Sequence, residues 1–275
     1  MTRPEDAAER AAPAERRLER ALLLRRFPYG ESSLVLHALT PGHGRVTWLA
    51  KGAYRPSSGF FAVFDLFDTL EVRWSARPHQ ELGLVTRATL LTRRAGLALD
   101  LARYRVALGL LELAHLTARE EHEERALFRW LEQGLDLLVA GQASPGLVRL
   151  AAQLGLLRAN GLEPALEACA SCGAAEAERA RTAAFSFAMG GRLCARCAAE
   201  ARARGRSVEE LPAGLVRVAA SLAALPPGRL AHTRLEPALE QRLGVLVERF
   251  LSYHLETGPR TVPHGRSDGH LLPRP

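Results

Sequence analysis

Residues 22–58 read LLLRRFPYGESSLVLHALTPGHGRVTWLAKGAYRPSS, and the rhythm of this stretch decides the fold. Three short apolar runs, each of strand length, are cut by turn chemistry at Pro28-Tyr29-Gly30 and at Pro41-Gly42-His43-Gly44. Two further runs, VFDLFDTLEVRW and ELGLVT, flank the turn residues Arg77-Pro78-His79. In the first of them Leu66, Leu70, Val72 and Trp74 share one face, and Asp65, Asp68 and Glu71 fall out of step. About five strands in about 75 residues is the size of a small closed barrel. Residues 19–92 are therefore expected to form one, with Trp48 in its core. The loop Gly52–Phe61 interrupts the pattern and is expected to be mobile.

Beyond residue 93 the apolar period becomes helical. Leu97, Leu101, Val106, Leu108 and Leu111 open a long segment; Leu127, Leu131, Leu135 and Leu138 form a stripe. Ser144-Pro145 reads as a cap and first-turn proline ahead of Leu147, Leu150, Leu154 and Leu157, with Gly161 as the stop. Ser207 with Glu210 reads as a capping box before Leu211, Leu215, Val218, Leu222 and Leu225. A last helix carries Leu239, Leu243, Leu246, Phe250 and Tyr253. The helices of residues 93–163 and 205–257 are expected to pack as one bundle. Residues 1–18, charged and broken by Pro4 and Pro13, read as a mobile extension, and residues 258–275 as a disordered tail.

Between the third and fourth helices lie Cys169-Ala-Ser-Cys172 and Cys194-Ala-Arg-Cys197. A CxxC turn presents two thiolates together, so two such turns complete a tetrahedral shell. These four are all the cysteines of the chain, with none left for other chemistry. Residues 164–204 are thus expected to be a zinc-ribbon insert holding one structural Zn2+ through Cys169, Cys172, Cys194 and Cys197. A segment whose larger apolar residues are Phe185, Phe187 and Met189 has too little core to fold without it. Four cysteines also close the shell, which argues against a catalytic metal. The fold class is accordingly α+β multidomain: barrel, helical bundle and inserted four-cysteine lobe.

The charge balance suggests a partner. Net charge is +7 with a pI near 9.9, and Lys51 is the sole lysine. Arginine's planar fork suits phosphate, so a basic surface facing nucleic acid is the favoured reading over codon bias. Arg192 and Arg196, beside the second CxxC, are candidates for a phosphate-binding edge. No apolar stretch reaches the ~18 residues of a membrane span. The first residues lack the apolar run of a secretion signal, so a cytoplasmic setting with reduced thiols is expected.

The stretch quoted first resembles the amino-terminal OB-fold of the RecO family of bacterial DNA-repair and recombination mediators. The resemblance rests on Tyr29-Gly30-Glu31-Ser32, Leu39-Thr40-Pro41 to Gly44, and Ala50-Lys51-Gly52-Ala53 with Arg55 close behind. The order barrel, helices, CxxC pair, helices also fits, although Ser58-Gly59-Phe60-Phe61 lacks the expected basic residue after the serine. The resemblance implies binding of single- and double-stranded DNA and annealing of complementary strands. It also implies recognition of the C-terminal tail of single-strand-binding protein and, with RecR, help in loading RecA, in a bacterial, nucleoid-associated setting. On an OB barrel arginines track phosphates and aromatic rings stack on bases. Arg25, Arg26, Lys51 and Arg55 are the phosphate candidates and Tyr54 the stacking candidate, with Lys51 favoured. Arg25 and Arg26 are neighbours on one strand, so only one is expected to serve.

Two other classes compete. A zinc-ribbon adaptor that binds proteins without touching DNA would show salt-independent interactions. An enzyme acting on nucleic acid would need a P-loop, a nucleophile elbow or an acidic metal cluster, and the sequence offers none. His122-Glu123-Glu124 resembles half of a deaminase signature, but reads as an exposed helix start.

Overall fold

The computed structural model describes residues 15–76, 82–175 and 180–255. The expected turn at Arg77-Pro78-His79 and the tail 258–275 lie outside them, as do residues 1–14. The chain divides into two compact units, Met1–Glu163 with Ser221–Glu236 and Pro164–Ala220 with Pro237–Pro275.

The first unit begins with β1 (Glu15–Tyr29), β2 (Ser33–Thr40), β3 (Gly44–Ala50), β4 (Thr69–Ala76) and β5 (Leu82–Thr92). They close into a barrel in the order β1-β2-β3-β5-β4, an OB topology. The long β1 serves two partners. Its first half pairs with β4 from Glu15↔Ala76 to Leu22↔Thr69, and its second half pairs with β2 from Leu22↔Leu39 to Tyr29↔Ser33. A register shift between Leu23 and Arg25 marks the bend between the halves. The ring is closed by a parallel seam of β3 and β5, Thr47↔Leu82, Trp48↔Gly83 and Leu49↔Leu84. Trp48 and Trp74 fill the core with ring centroids 4.9 Å apart. Gly83 sits beneath them: a Cβ there would lie 2.8 Å from Trp74 and 2.9 Å from Trp48.

Two readings of this region are corrected. The extension placed at residues 1–18 gives up residues 15–18 to β1. Charge hid that strand, because its outward residues pair with distant carboxylates: Arg17 with Glu121 in the α1–α2 connection and Arg20 with Glu132 on α2 at 2.5 Å. The loop after β3 is built rather than loose. Successive turns (Arg55 N to Gly52 O, Ser58 N to Arg55 O, Phe61 N to Ser58 O) carry it round, and Ala53 and Phe64 bury against the barrel core.

Three helices follow, α1 (Leu101–Thr117), α2 (Arg125–Ala140) and α3 (Pro145–Ala159), after a 3-10 turn over Ala95–Leu99. The α2 stripe Leu127, Leu131, Leu135 and Leu138 is buried as expected, and the Ser144 hydroxyl caps α3 by accepting Leu147 N–H at 3.1 Å. Leu97 is buried, whereas Leu101 stands out in solvent, because α1 starts only at Asp100, whose carboxylate accepts Ala102 and Arg103 N–H.

Barrel and helices are joined by Arg94, which is only 3% exposed. Its guanidinium donates to Phe67 O at 2.7 Å, Thr69 Oγ1 at 2.9 Å and Asp136 at 2.6 Å, while its N–H meets Asp68 at 2.7 Å. Thr69 in turn donates to Glu132 at 2.9 Å. One side chain thus ties the turn before β4 to α2.

The second unit holds a three-stranded sheet in the order β7-β6-β8, with β6 (Thr182–Ser186), β7 (Gly191–Leu193) and β8 (Glu209–Pro212). It also carries α4 (Ala195–Ala203) and α6 (Pro237–His254); α5 (Ala213–Ala224) spans the boundary between units. The capping box read at Ser207 and Glu210 is absent. Ser207 instead gives its carbonyl to Ser186 Oγ, and Glu210 lies in β8 with its carboxylate on Arg202. The edge of β6 offered this segment ladder hydrogen bonds that a cap could not match. Residues beyond the expected 164–204 insert therefore join the cysteine lobe: β8 through the sheet, and α6 through Arg249 on Glu209 and His254 on Phe187 O. No helix among the described residues is long and apolar enough to cross a membrane.

Candidate nucleic-acid interface and metal centre

The lobe gathers its cysteines from two different devices. Cys169 and Cys172 sit on a tight turn closed by Gly173 N to Cys169 O at 2.9 Å. Cys194 caps α4 and Cys197 lies in its first turn, so the second pair is presented by a helix N-terminus rather than a second hairpin knuckle. That helix end favours anionic sulfur. Gly191 lets the start of β7 pass Ala165, whose carbonyl oxygen would lie 2.3 Å from any Cβ. Around the sulfurs the core consists of Leu193, Ala198 and Ala201 with Ala170, Ala184, Met189 and Val208, mostly small side chains apart from Leu193 and Met189. Such a core buries too little area to hold a fold alone.

All four Sγ atoms lie within 4.8 Å of one another. Cys172 and Cys194 sulfurs are 3.7 Å apart, matching the ~3.8 Å edge of a tetrahedron with ~2.3 Å metal–sulfur bonds. Burial opposes ionisation of Cys169, but N–H donors of Cys194, Cys172 and Ser171 outweigh it and bring the thiol down to about 6. Cys197 is pushed up to about 11 by its sulfur neighbours, against the pull of the Ser171 hydroxyl. Four thiols at one point cannot all ionise unaided; a divalent cation resolves the conflict. The arrangement fits one bound metal ion.

The sequence candidates are distributed unevenly. Lys51, Tyr54 and Arg55 share one loop, which Tyr54 N to Ser32 O at 2.9 Å and Gly52 N to Ser33 Oγ at 3.2 Å dock onto the β1–β2 turn. Neither Lys51 nor Arg55 has an ion pair among the described residues, and Tyr54 is 48% exposed. The same end of β1 exposes Phe27 and Tyr29, and the loop exposes Phe61. None of these three was among the stacking candidates; their signal is an aromatic residue on a turn or beside charged strand positions. Arg26 donates to Phe64 O at 2.7 Å and pairs with Asp65 at 3.3 Å in solvent, a bond weak enough to exchange for phosphate. Arg25 turns the other way and places one nitrogen 2.7 Å from both carboxylate oxygens of Glu112 on α1.

The lobe arginines behave differently from the expectation. Arg192 is 5% exposed and donates to Glu167 O at 2.9 Å, so burial removes it from any phosphate-binding edge. Arg196 is exposed and lies against the Cys172 sulfur, a place that offsets thiolate charge.

Between β2 and α1, His37 and His115 stack at 5.2 Å, each with a buried Nδ1 lacking a hydrogen-bond partner among the described residues. Burial, then Arg25, Arg45 and His37, hold His115 down at about 4, with Glu112 opposing them. His37 is lowered by burial, Arg25 and Arg45, with Glu120 opposing. Because the folded form refuses a proton that the unfolded chain binds below ~6.5, stability is fully present above that pH and falls as pH drops towards 4. Urea melts at pH 7.5 and 5 are expected to show that His115→Leu loses up to about 2 kcal/mol less on acidification than the natural chain. Equal losses would remove the imidazole from the account.

Residues 17–94 match the family description Recombination protein O N terminal, and residues 98–263 match Recombination protein O C terminal. Among curated relatives, the DNA repair protein RecO of Nocardioides sp. is 33% identical over 251 residues, covering 90% of this chain and 97% of that protein. The DNA repair protein RecO of Anaeromyxobacter sp. (strain Fw109-5) is 34% identical over 248 residues, 86% and 95%. The protein of that name from Myxococcus xanthus is 33% identical over 244 residues, 88% and 93%.

Proposed function

This chain belongs to the RecO family and so has a role in DNA repair and recombination, and from that premise we propose that it binds single- and double-stranded DNA through the exposed end of its barrel and anneals complementary strands. The observation that carries this reading is the loop holding Lys51, Tyr54 and Arg55, two unpaired cations and an exposed ring beside Tyr29 and Phe61. Cations there hold the backbone while rings take bases at about 1–3 kcal/mol each. With RecR it helps load RecA on DNA coated with single-strand-binding protein, whose C-terminal tail it recognises. Its setting is the cytoplasm, at the nucleoid.

The same reading assigns the four-cysteine site one structural Zn2+, the ion best suited to a closed tetrahedral sulfur shell. Bound there, it cross-links two chain segments and supplies no open position for chemistry. Residues 15–92 act as the DNA-binding barrel and the lobe as a scaffold.

Strand annealing tests the reading. Annealing in the presence of single-strand-binding protein is expected when its acidic tail is intact and to be lost when the tail is deleted. No annealing in either case would favour a protein-binding adaptor. On single-stranded DNA, fluorescence anisotropy is expected to show log affinity falling with log salt by ~0.7 per phosphate contact, and Lys51→Ala to weaken binding and flatten that slope by about one contact. Unchanged affinity and slope would exclude Lys51.

A further inference from the structure

The lobe carries a second feature, distinct from the sulfur cluster. Phe187, Arg206, Ser207, Glu209, Arg249 and Tyr253 line a pocket of about 760 Å3, a volume suited to a small planar ligand. The Arg249 guanidinium lies 4.3 Å over the Phe187 ring and is clamped by both oxygens of Glu209. That pairing lowers the Glu209 carboxyl and raises Arg249, so both stay charged at neutral pH. Arg249 is thereby neutralised as a cation yet fixed as a flat plate. Tyr253, on α6, presents a ring that is 57% exposed, although its place in the apolar helix stripe marked it for burial. Arg206 has no side-chain partner among the described residues and is the pocket's one uncompensated charge.

Flat surfaces with one free cation select a flat ligand with one negative charge. An unpaired nucleotide has that form, its base on Tyr253 or the Arg249 plate and its phosphate on Arg206. We propose that this pocket, formed by Tyr253, Arg249 and Arg206, is a second contact for single-stranded DNA, separate from the barrel face. The inference rests on the DNA-binding reading and extends it to the lobe. A duplex has no free base faces and is not a ligand of this pocket.

The test compares the natural chain with Lys51→Ala/Arg55→Ala and with Tyr253→Ala/Arg206→Ala, using oligo-dT and a duplex of equal length in anisotropy titrations across salt. The lobe variant is expected to bind oligo-dT about tenfold more weakly with the salt slope reduced by ~0.7. Duplex affinity and zinc content should stay as in the natural chain. Tyr253→Phe keeps the ring and should restore most of the stacking loss, which a merely structural defect would not. Unchanged oligo-dT binding by the lobe variant, with weakened binding by the barrel variant, would overturn the pocket and leave the DNA-binding reading intact. No DNA binding by the natural chain would overturn both. If the lobe variant lost affinity for thymidine monophosphate alone while holding oligo-dT fully, the pocket would be a free-nucleotide site and the proposal would fail.

Discussion

Cys169→Ser is expected to release the metal and unfold the cysteine lobe, the largest effect of any single substitution in this chain. Structural zinc contributes roughly 10–16 kcal/mol to finger peptides at neutral pH. Around the sulfurs there is little else, since that cluster is mostly alanine and the cysteines themselves. A serine hydroxyl stays protonated where the thiol comes down to about 6, so it is a poor fourth ligand. Metal content by emission spectroscopy should fall from one ion per chain towards none, and limited proteolysis should cut between residues 164 and 212. The three tryptophans, Trp48, Trp74 and Trp130, all lie in the first unit, so their fluorescence reports that unit alone and should keep its native maximum. DNA binding by the barrel face should persist. Its loss with the tryptophan signal native would make the lobe the main contact.

Arg94→Ala is expected to cost the first unit about 3–5 kcal/mol, from two buried acceptors left unpaired at about 1–3 kcal/mol each and the cavity left behind. The substitution leaves Phe67 O and Thr69 without their donor and opens a void where a guanidinium lay. Asp136, being largely exposed, is not the main source of the loss. Arg94→Lys should recover less than half of it, because one ammonium cannot reach three acceptors set around a planar fork. Urea unfolding followed by tryptophan fluorescence gives both values. A loss under about 1 kcal/mol for Arg94→Ala would mean that β4 and α2 are held by apolar packing alone.

The barrel was readable because both of its signals are local: strand alternation and turn residues, with Trp48 and Trp74 inside. The cysteine site was readable because CxxC spacing carries its chemistry in four positions. What escaped depends on partners distant in sequence. Glu15–Leu18 looks like a charged tail until Glu121 supplies a counter-charge to Arg17 about a hundred residues away. Ser207 and Glu210 satisfy the pattern of a cap, and only the edge of β6 turns them into a strand. Arg192 looked like a surface cation because sequence shows charge and not burial. Conversely, Tyr253 keeps the helical period and still faces water.

The seam between β3 and β5 has a consequence for solubility. Only three residue pairs close the ring, and Gly83, in the middle pair, is the one place where two indoles leave no room for a side chain. A larger residue there would wedge the cylinder into an open sheet whose β3 and β5 backbones face solvent unpaired. Open sheets of that kind recruit strands from other molecules. The failure of this barrel would thus be collective, a matter of protein concentration and chaperone supply, and the missing Cβ of Gly83 under Trp48 and Trp74 separates a closed ring from a sticky ribbon.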